Sequence, residues 1–274
     1  MQRREFLAAS AAAALGIAAT DRTSAAEAGP ERQLIELRVY HFASPQKQQA
    51  FDRLMAEAVV PAFGRAGARS IGVFRLMAKD NDGNKDYTGQ AVKADSSDLY
   101  VVVPHNSVES FLAFGDKLAA DEQLQHANPS LLQPPKSDPA FTRYETSLLL
   151  AFPGFPKVQT PAKGPARVAQ LRTYESHSNE RNKKKVEMFD EGGELEIFKR
   201  CGMNGVFFGR ALAGIRMPNL TYMLAFDDEQ AQKKAWDAFK ADDAWKKLSK
   251  DPAYKDTVSN ITNLILRPTE ASQI

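Results

Sequence analysis

The feature that most constrains the fold is an internal duplication of the chain. Leu37-Arg38-Val39-Tyr40 recurs as Leu171-Arg172-Thr173-Tyr174. Three further matches keep the same order in both halves: residues 63–67 with 198–202, 72–75 with 205–210, and 138–141 with 251–254. Self-similarity of this kind indicates two copies of one structural unit. We therefore predict repeats at residues 29–153 and 168–268, joined by an exposed Pro- and Gly-rich linker at 154–167.

Each copy predicts the same order of elements: strand, helix, strand, strand, helix, strand. The first strand, Leu34 to Tyr40, alternates apolar and polar residues, and Ser44 before Pro45 is typical of a helix N-terminus. Capping patterns at Asn106 and Asp227 predict the starts of the second helices. This βαββαβ order is ferredoxin-like and leaves one sheet face bare. Packing the two sheets together would bury both faces, which predicts an α+β protein with a barrel-like core and helices outside.

The first 28 residues predict an export signal. Arg3-Arg4, followed by Phe6-Leu7, matches the twin-arginine pattern. A short apolar stretch follows, and small residues favour cleavage after Ala26 or Ala28. The stretch is too short to span a bilayer, and nothing later in the chain is apolar for long enough. We therefore expect a periplasmic or secreted protein without a membrane span in its mature chain.

Charge and cysteine content exclude several classes of function. The formal net charge is +2, which argues against nucleic acid or an acidic membrane as the main partner. The single cysteine, Cys201, excludes an internal disulfide and a multi-cysteine metal site. No dinucleotide-binding, P-loop, nucleophile-elbow or zinc-protease motif occurs in the chain.

Three segments resemble the NIPSNAP family of the dimeric α/β-barrel group. They are Glu36-Leu37-Arg38-x-Tyr40, Pro61-Ala62-Phe63-x-Arg65-Ala66-Gly67, and the run Ala235 to Trp245. The resemblance implies two fused NIPSNAP repeats that form an intramolecular dimeric α/β barrel. It carries over no agreed catalytic residues, because the biochemical activity of the family is poorly defined. The second half departs from the pattern by placing Gln170 where the first half has Glu36.

Arginines and tyrosines at matched positions are the candidate binding residues. Arg38 and Tyr40 share one face of the first strand, as Arg172 and Tyr174 do in the second half. If the apolar face of each strand packs on the helices, these side chains point between the sheets, where they could bind an anionic or aromatic ligand. The alternative is that they satisfy one another and Glu36. Two further candidates lie at matched strand positions: Arg75 and Arg210.

His41 is the first candidate for a general base, with Tyr40 beside Arg38 as the second. No paired-histidine or Cys-x-x-Cys spacing indicates a metal site, and no cofactor is predicted, with haem as the alternative. Trp236, Phe239 and Trp245 either pack in the core or form an aromatic binding wall. The polar insert Ala78 to Asp98, which includes an alternation of oxygen-bearing side chains, is either a lid over the barrel mouth or a variable loop.

These observations lead to two hypotheses about function. The first is an exported NIPSNAP-like protein that binds a small molecule or partner through the barrel without established catalysis. The second is a monooxygenase-like or isomerase-like enzyme acting on a small aromatic compound. An enclosed pocket of several hundred Å³ would favour the enzyme, and a filled barrel would favour a structural or interaction role. The chain forms a pseudo-dimer with itself in either case, and association with further copies stays open.

Overall fold

A computed structural model describes residues 31–86 and 89–274, so the predicted signal sequence lies outside the described residues. Eight strands form one closed antiparallel barrel in the order β1-β3-β2-β8-β5-β7-β6-β4. The strands are β1 (Leu34–His41), β2 (Gly72–Leu76), β3 (Leu99–His105), β4 (Arg143–Ala151), β5 (Val168–Glu175), β6 (Asn204–Ala213), β7 (Asn219–Phe226) and β8 (Asn260–Pro268).

The two halves of the barrel have the same strand order. The first half runs β4-β1-β3-β2 and the second runs β8-β5-β7-β6, which is the ferredoxin-like arrangement in both. Antiparallel pairing of β2 with β8 and of β4 with β6 joins the halves. Each sheet therefore supplies a partner for part of the other's edge strands, which closes the barrel. The α+β prediction of a dimeric α/β barrel within one chain is confirmed.

Helices cover the outside of the barrel, and their ends follow local capping rules. The hydroxyl of Ser44 accepts from the N–H of Lys47, as predicted. The N-caps of the second helices lie one residue later than expected, at Ser107 and Asp228. The helices are α1 (Pro45–Leu54), α2 (Val60–Arg65), α3 (Val108–Leu112), α4 (Phe114–Ala119), α5 (Glu122–Ala127), α6 (Pro129–Leu132), α7 (Asn179–Phe189), α8 (Glu194–Arg200), α9 (Glu229–Ala241) and α10 (Asp243–Leu248).

A π-helical segment, Met55–Val59, joins α1 to α2. It immediately precedes the turn that contains Pro61, which has no N–H to donate to the preceding turn. The helical run therefore accommodates this proline through a widened turn and continues beyond it. In the second half, Gly192-Gly193 separates α7 from α8, and Gly193 adopts a φ of 86°. Across the described ranges, no helix is both long and apolar enough to cross a membrane.

The polar face of β1 points toward the helices, contrary to the prediction. Ile35 and Leu37 belong to the apolar cluster inside the barrel, whereas Tyr40 packs with Phe51 of α1 in the sheet–helix layer. Because side chains alternate along a strand, Glu36 and Arg38 lie on the same side as Tyr40. The barrel interior is lined mainly by apolar side chains and offers few hydrogen-bond partners. Charged side chains of β1 can find such partners in the layer between the sheet and the helices. The candidate arginines must therefore be sought beneath the helices.

The insert between β2 and β3 packs against the outside of β8. The side chain of Asn81 is fully buried and hydrogen bonds to the backbone of Ile265. Asn84 accepts a hydrogen bond of 3.0 Å from Asn263 on the same strand. Asp80 pairs with Arg267, also on β8. These three residues therefore anchor the insert at the seam between the halves, whereas Val92 of the same insert packs against the apolar cluster inside the barrel.

Candidate functional site

The centre of the barrel is largely filled by side chains. The cavity at its mouth has a volume of about 60 Å³, with an apolar floor that includes Leu37, Tyr100 and Leu171. This is room for a few water molecules. Pockets for small organic ligands usually measure about 300–1,000 Å³. The space between the sheets therefore does not accommodate the ligand that was expected there.

In the first half, the matched arginine is neutralised within the chain. Arg38 donates two hydrogen bonds to the carboxylate of Glu36, at 2.6 and 2.9 Å. The Nε2 atom of His105 lies 3.1 Å from the same carboxylate, and the hydroxyl of Thr146 donates to it at 3.3 Å. Burial alone would raise the pKa of Glu36, but the hydrogen bonds from His105 and Arg38 outweigh it and lower this pKa to about 2. Glu36 is therefore held as a buried carboxylate.

Aromatic rings enclose this first network. The guanidinium carbon of Arg38 lies 5.5 Å from the ring centre of Phe63 and 5.8 Å from that of Phe114. The ring of Tyr144 lies on another side at 5.7 Å. Cations are attracted to ring faces at such distances. Carboxylate and rings together occupy the surroundings of Arg38, which supports the structural alternative for this residue.

In the second half, Gln170 replaces the carboxylate and turns to other partners. Its amide oxygen accepts from the indole N–H of Trp236 at 2.6 Å and from Gln232 at 3.1 Å. Its amide nitrogen donates to Asn263 at 2.7 Å. The side chain two residues before Arg172 is therefore uncharged and serves to fix a helix of the outer layer to the sheet.

Arg172 lies between aromatic side chains and has a donor to spare. Its guanidinium carbon is 4.9 Å from the ring centre of Trp236 and 5.3 Å from that of Tyr174. Its Nε atom is buried and makes no hydrogen bond to any described residue. Burial lowers the pKa of Arg172, but the neighbouring Tyr222 and Tyr174 outweigh this effect and the net shift is upward. Arg172 is therefore a cation with unused hydrogen-bonding capacity.

A pocket of about 350 Å³ opens beside Arg172, between the sheet and the helices of the second half. We call it the Arg172 pocket. It contains a buried ion pair, in which Lys185 Nζ lies 2.9 Å from a carboxylate oxygen of Glu194. This pair is balanced, so Arg172 contributes the remaining buried charge. The lining residues are Arg172, Tyr174, Lys185, Glu194, Trp236, Phe239, Lys240, Trp245, Val258 and Ile261.

Sequence comparison relates part of this chain to a known family. Residues 169–273 match the NIPSNAP family. The second half is therefore similar to NIPSNAP domains. No curated protein matches the chain.

Solved structures show how far the likeness extends. A provisionally assigned monooxygenase of Fusobacterium nucleatum shares the fold at 10% identity, with 87% of this chain and 93% of that chain covered and a TM-score of 0.53. A NIPSNAP family protein of unknown function from Agrobacterium tumefaciens is 20% identical over 41% of this chain and 96% of its own, with a TM-score of 0.36. A NIPSNAP-like domain protein from Burkholderia xenovorans is 14% identical over 40% and 91%, with a TM-score of 0.37.

The structure brings only some of the predicted site residues together. Arg172 and Tyr174 of the second half both line the Arg172 pocket. Arg75 pairs with Asp52 on the outside of the first half, and Arg210 is exposed on β6. These two arginines lie in separate grooves on the surface. The predicted binding set is therefore divided between different places.

The two candidate bases also lie apart. Tyr40 faces the helices, where burial raises its pKa. His41, the next residue, turns the other way: its Nδ1 atom is 3.0 Å from Asp98, and its Nε2 atom is 3.6 Å from Glu145 at the barrel mouth. Alternation along β1 accounts for this separation. Among the described residues, no group of three or more His, Cys, Asp or Glu side chains is arranged to hold a metal ion.

Two charged residues of the Arg172 pocket were missed from sequence. Lys185 occupies the same place after the N-cap Ser178 as Phe51 does after Ser44, so comparing the halves would have shown a charge in a core position. Glu194 begins a helix after the Gly192-Gly193 break, which gives no sign of burial. Trp236 and Trp245 line the Arg172 pocket and also pack against the buried apolar cluster of the second half, so both sequence alternatives stay open.

Proposed function

We propose that this protein binds a small molecule in the Arg172 pocket of its NIPSNAP domain. The observation that carries the proposal is the unequal treatment of two matched arginines. Arg38 is bonded by a carboxylate of its own chain, whereas Arg172 has a buried, unpaired Nε atom beside a pocket of about 350 Å³. A buried donor without a partner is costly, and a ligand that accepts from it removes that cost.

The direct test is native mass spectrometry on the protein purified from its natural compartment, together with the variant Arg172→Gln. We expect a bound small molecule in the wild-type protein and its loss in the variant. Arg210→Gln is the matched control, because Arg210 is exposed and lies outside the Arg172 pocket. Thermal unfolding of each variant checks that it is folded. Retention of the molecule by folded Arg172→Gln protein would refute the proposal.

The cellular location of the protein is part of the same proposal. The Arg3-Arg4 pair, the short apolar stretch and the Ala-rich exit support export by the twin-arginine route to the periplasm or beyond. Replacing both arginines with lysine should retain the uncleaved chain in the cytoplasm. Fractionation followed by intact-mass measurement should also show whether cleavage follows Ala26 or Ala28 in the exported protein. Unchanged export of the double-lysine variant would contradict this route.

We also infer that the first half is a diverged NIPSNAP repeat. The four matched segments and the identical strand order support this inference. The enzymatic alternative, with monooxygenase-like or isomerase-like activity, stays a prediction. His41 and Tyr40, which would act as bases in that alternative, lie on opposite faces of β1 and outside the Arg172 pocket.

A further inference from the structure

We infer that the ligand of the Arg172 pocket is an aromatic carboxylate, whose carboxyl group pairs with Arg172 and whose ring packs against Trp236. This inference rests on the proposed function and adds the chemical class of the ligand. Its basis is that the first half of the chain contains, in the matched place, an arginine already bound to a carboxylate.

Glu36 shows what the matched arginine binds when its ligand is built into the chain. Arg38 holds both oxygens of this carboxylate in a bidentate pair, at 2.6 and 2.9 Å. Bidentate pairing suits the planar guanidinium and is stronger than neutral hydrogen bonding. In the second half, Gln170 takes the place of Glu36 and its amide is committed to Trp236, Gln232 and Asn263. In the first half, the chain itself supplies the carboxylate that binds Arg38. In the second half, a ligand would have to supply the carboxylate for Arg172.

The charges of the pocket favour a monoanion. Lys185 and Glu194 pair at 2.9 Å, with side chains only 6% and 2% exposed, so together they add no net charge. Arg172 also interacts electrostatically with Glu194, so the three buried groups together leave one positive charge in excess. Lys240 lies at the exposed rim, where it pairs with Asp237 at 3.2 Å, so it adds little net charge. Burial of a neutral ligand would leave this guanidinium uncompensated, whereas a carboxylate neutralises it.

The walls of the pocket favour a flat ring. Trp236 lies edge-to-face with Phe239, at 5.6 Å between ring centres, and Phe239 lies 4.3 Å from Trp245. The hydrogen bond from Trp236 to Gln170 fixes the indole in place before any ligand arrives. Aromatic pairs in such arrangements gain energy beyond the area they bury. A ring attached to a carboxyl group could therefore reach the aromatic wall and Arg172 at once.

The chain provides its own reporter for this pocket. It contains two tryptophans, Trp236 and Trp245, and both line the Arg172 pocket. Intrinsic fluorescence therefore reports binding at this place. We choose three probes: benzoate, its neutral isostere benzamide, and cyclohexanecarboxylate, which has the charge without the aromatic ring. Saturable changes in emission should give benzoate an affinity about tenfold higher than that of either comparison probe.

The variant Gln170→Glu tests the role of the carboxylate. It places an acidic side chain two residues before Arg172, as Glu36 stands before Arg38, while keeping an acceptor for the indole of Trp236. We expect benzoate binding to weaken about tenfold, with benzamide binding unchanged. Gln46→Glu is the matched control, because it adds the same charge on the exposed surface of α1 and should leave both affinities unaltered.

The outcomes separate this inference from the proposed function. Equal affinities for benzoate and benzamide, an unchanged benzoate affinity in Gln170→Glu, or no response to any probe would each overturn the aromatic carboxylate. Loss of the natural ligand in Arg172→Gln, measured by native mass spectrometry, would still support a small-molecule site in those cases. Retention of that ligand would refute the site itself.

Discussion

The side chain of Asn81 pairs with the backbone of Ile265 in the way that a neighbouring strand would. Its amide nitrogen donates to the carbonyl oxygen of Ile265, and its amide oxygen accepts from the N–H of the same residue, both at 2.8 Å. Strand β2 pairs with β8 only as far as Leu76, opposite Leu266, so Ile265 lies just beyond the end of that ladder. The insert thus completes the seam between the two halves with one side chain.

Replacing Asn81 should therefore weaken the whole barrel. We expect Asn81→Ala to lower the free energy of unfolding by about 2–4 kcal/mol, because a buried N–H and a buried carbonyl of β8 lose their partners. Urea denaturation followed by circular dichroism measures the loss. Asn84→Ala is the control: it removes half-buried contacts with Asn263 and Asn81 but leaves the backbone of Ile265 paired, so it should cost about 1 kcal/mol or less. Similar losses in the two variants would argue against the role of Asn81 as a strand partner.

The stability of the first half should fall in acid. Glu36 has a pKa near 4.5 when unfolded and about 2 when folded, so its contribution is fully present above pH 4.5 and is lost as the pH falls toward about 2. The shift corresponds to about 3 kcal/mol. Urea denaturation across this pH range should show a flatter dependence for Glu36→Gln than for the wild-type protein. The exposed Glu122→Gln variant should retain the wild-type slope.

The buried ion pair of the pocket should show strong coupling. Lys185→Met leaves the carboxylate of Glu194 buried and unpaired, and we expect a loss of about 3–5 kcal/mol. The double variant Lys185→Met/Glu194→Met should recover most of this loss, because no buried charge remains. The adjacent pair Lys184–Glu187 is more exposed and is screened by water, so Lys184→Met should change stability far less than Lys185→Met does. A double-mutant cycle by urea denaturation gives the coupling energy, and additive losses would contradict it.

Closure of the barrel should require glycine, which has no side chain, at position 209. This residue lies on β6 at the seam with β4, and an added Cβ would come within 2.8 Å of the Leu149 side chain. We expect Gly209→Ala to destabilise the protein by about 1–3 kcal/mol through overpacking. Gly164→Ala is the control, since a Cβ there meets nothing within 4 Å. Thermal unfolding compares them, and equal melting temperatures would show that the seam has room to adjust.

Most of the fold could be predicted because its signals are local or repeated. Ser44 marks a helix start through its own side chain, and Gly193 marks a break through its backbone conformation. The duplication supplied the topology, because two sheets with one bare face each have few ways to bury both. The helix starts at Ser107 and Asp228 were missed by one residue, since neighbouring polar residues compete for the same cap.

The candidate site was harder to predict because its residues come together only in three dimensions. Arg172 and Tyr174 were found from the repeat, and Trp236 and Trp245 were recognised as a wall or core. The face of β1 was assigned wrongly, and Lys185 and Glu194 were missed. Each error concerns which buried layer a side chain enters, and the alternation of a strand does not distinguish two layers that are both buried.

The sequence by itself determined the duplicated βαββαβ order, the helix caps and the replacement of Glu36 by Gln170. Tertiary structure alone decided that the arginines lie beneath the helices, and that one is neutralised while the other borders a pocket. The physical reason is that the neutralisation of a buried charge depends on every group packed around it, and those groups come from segments far apart in the chain.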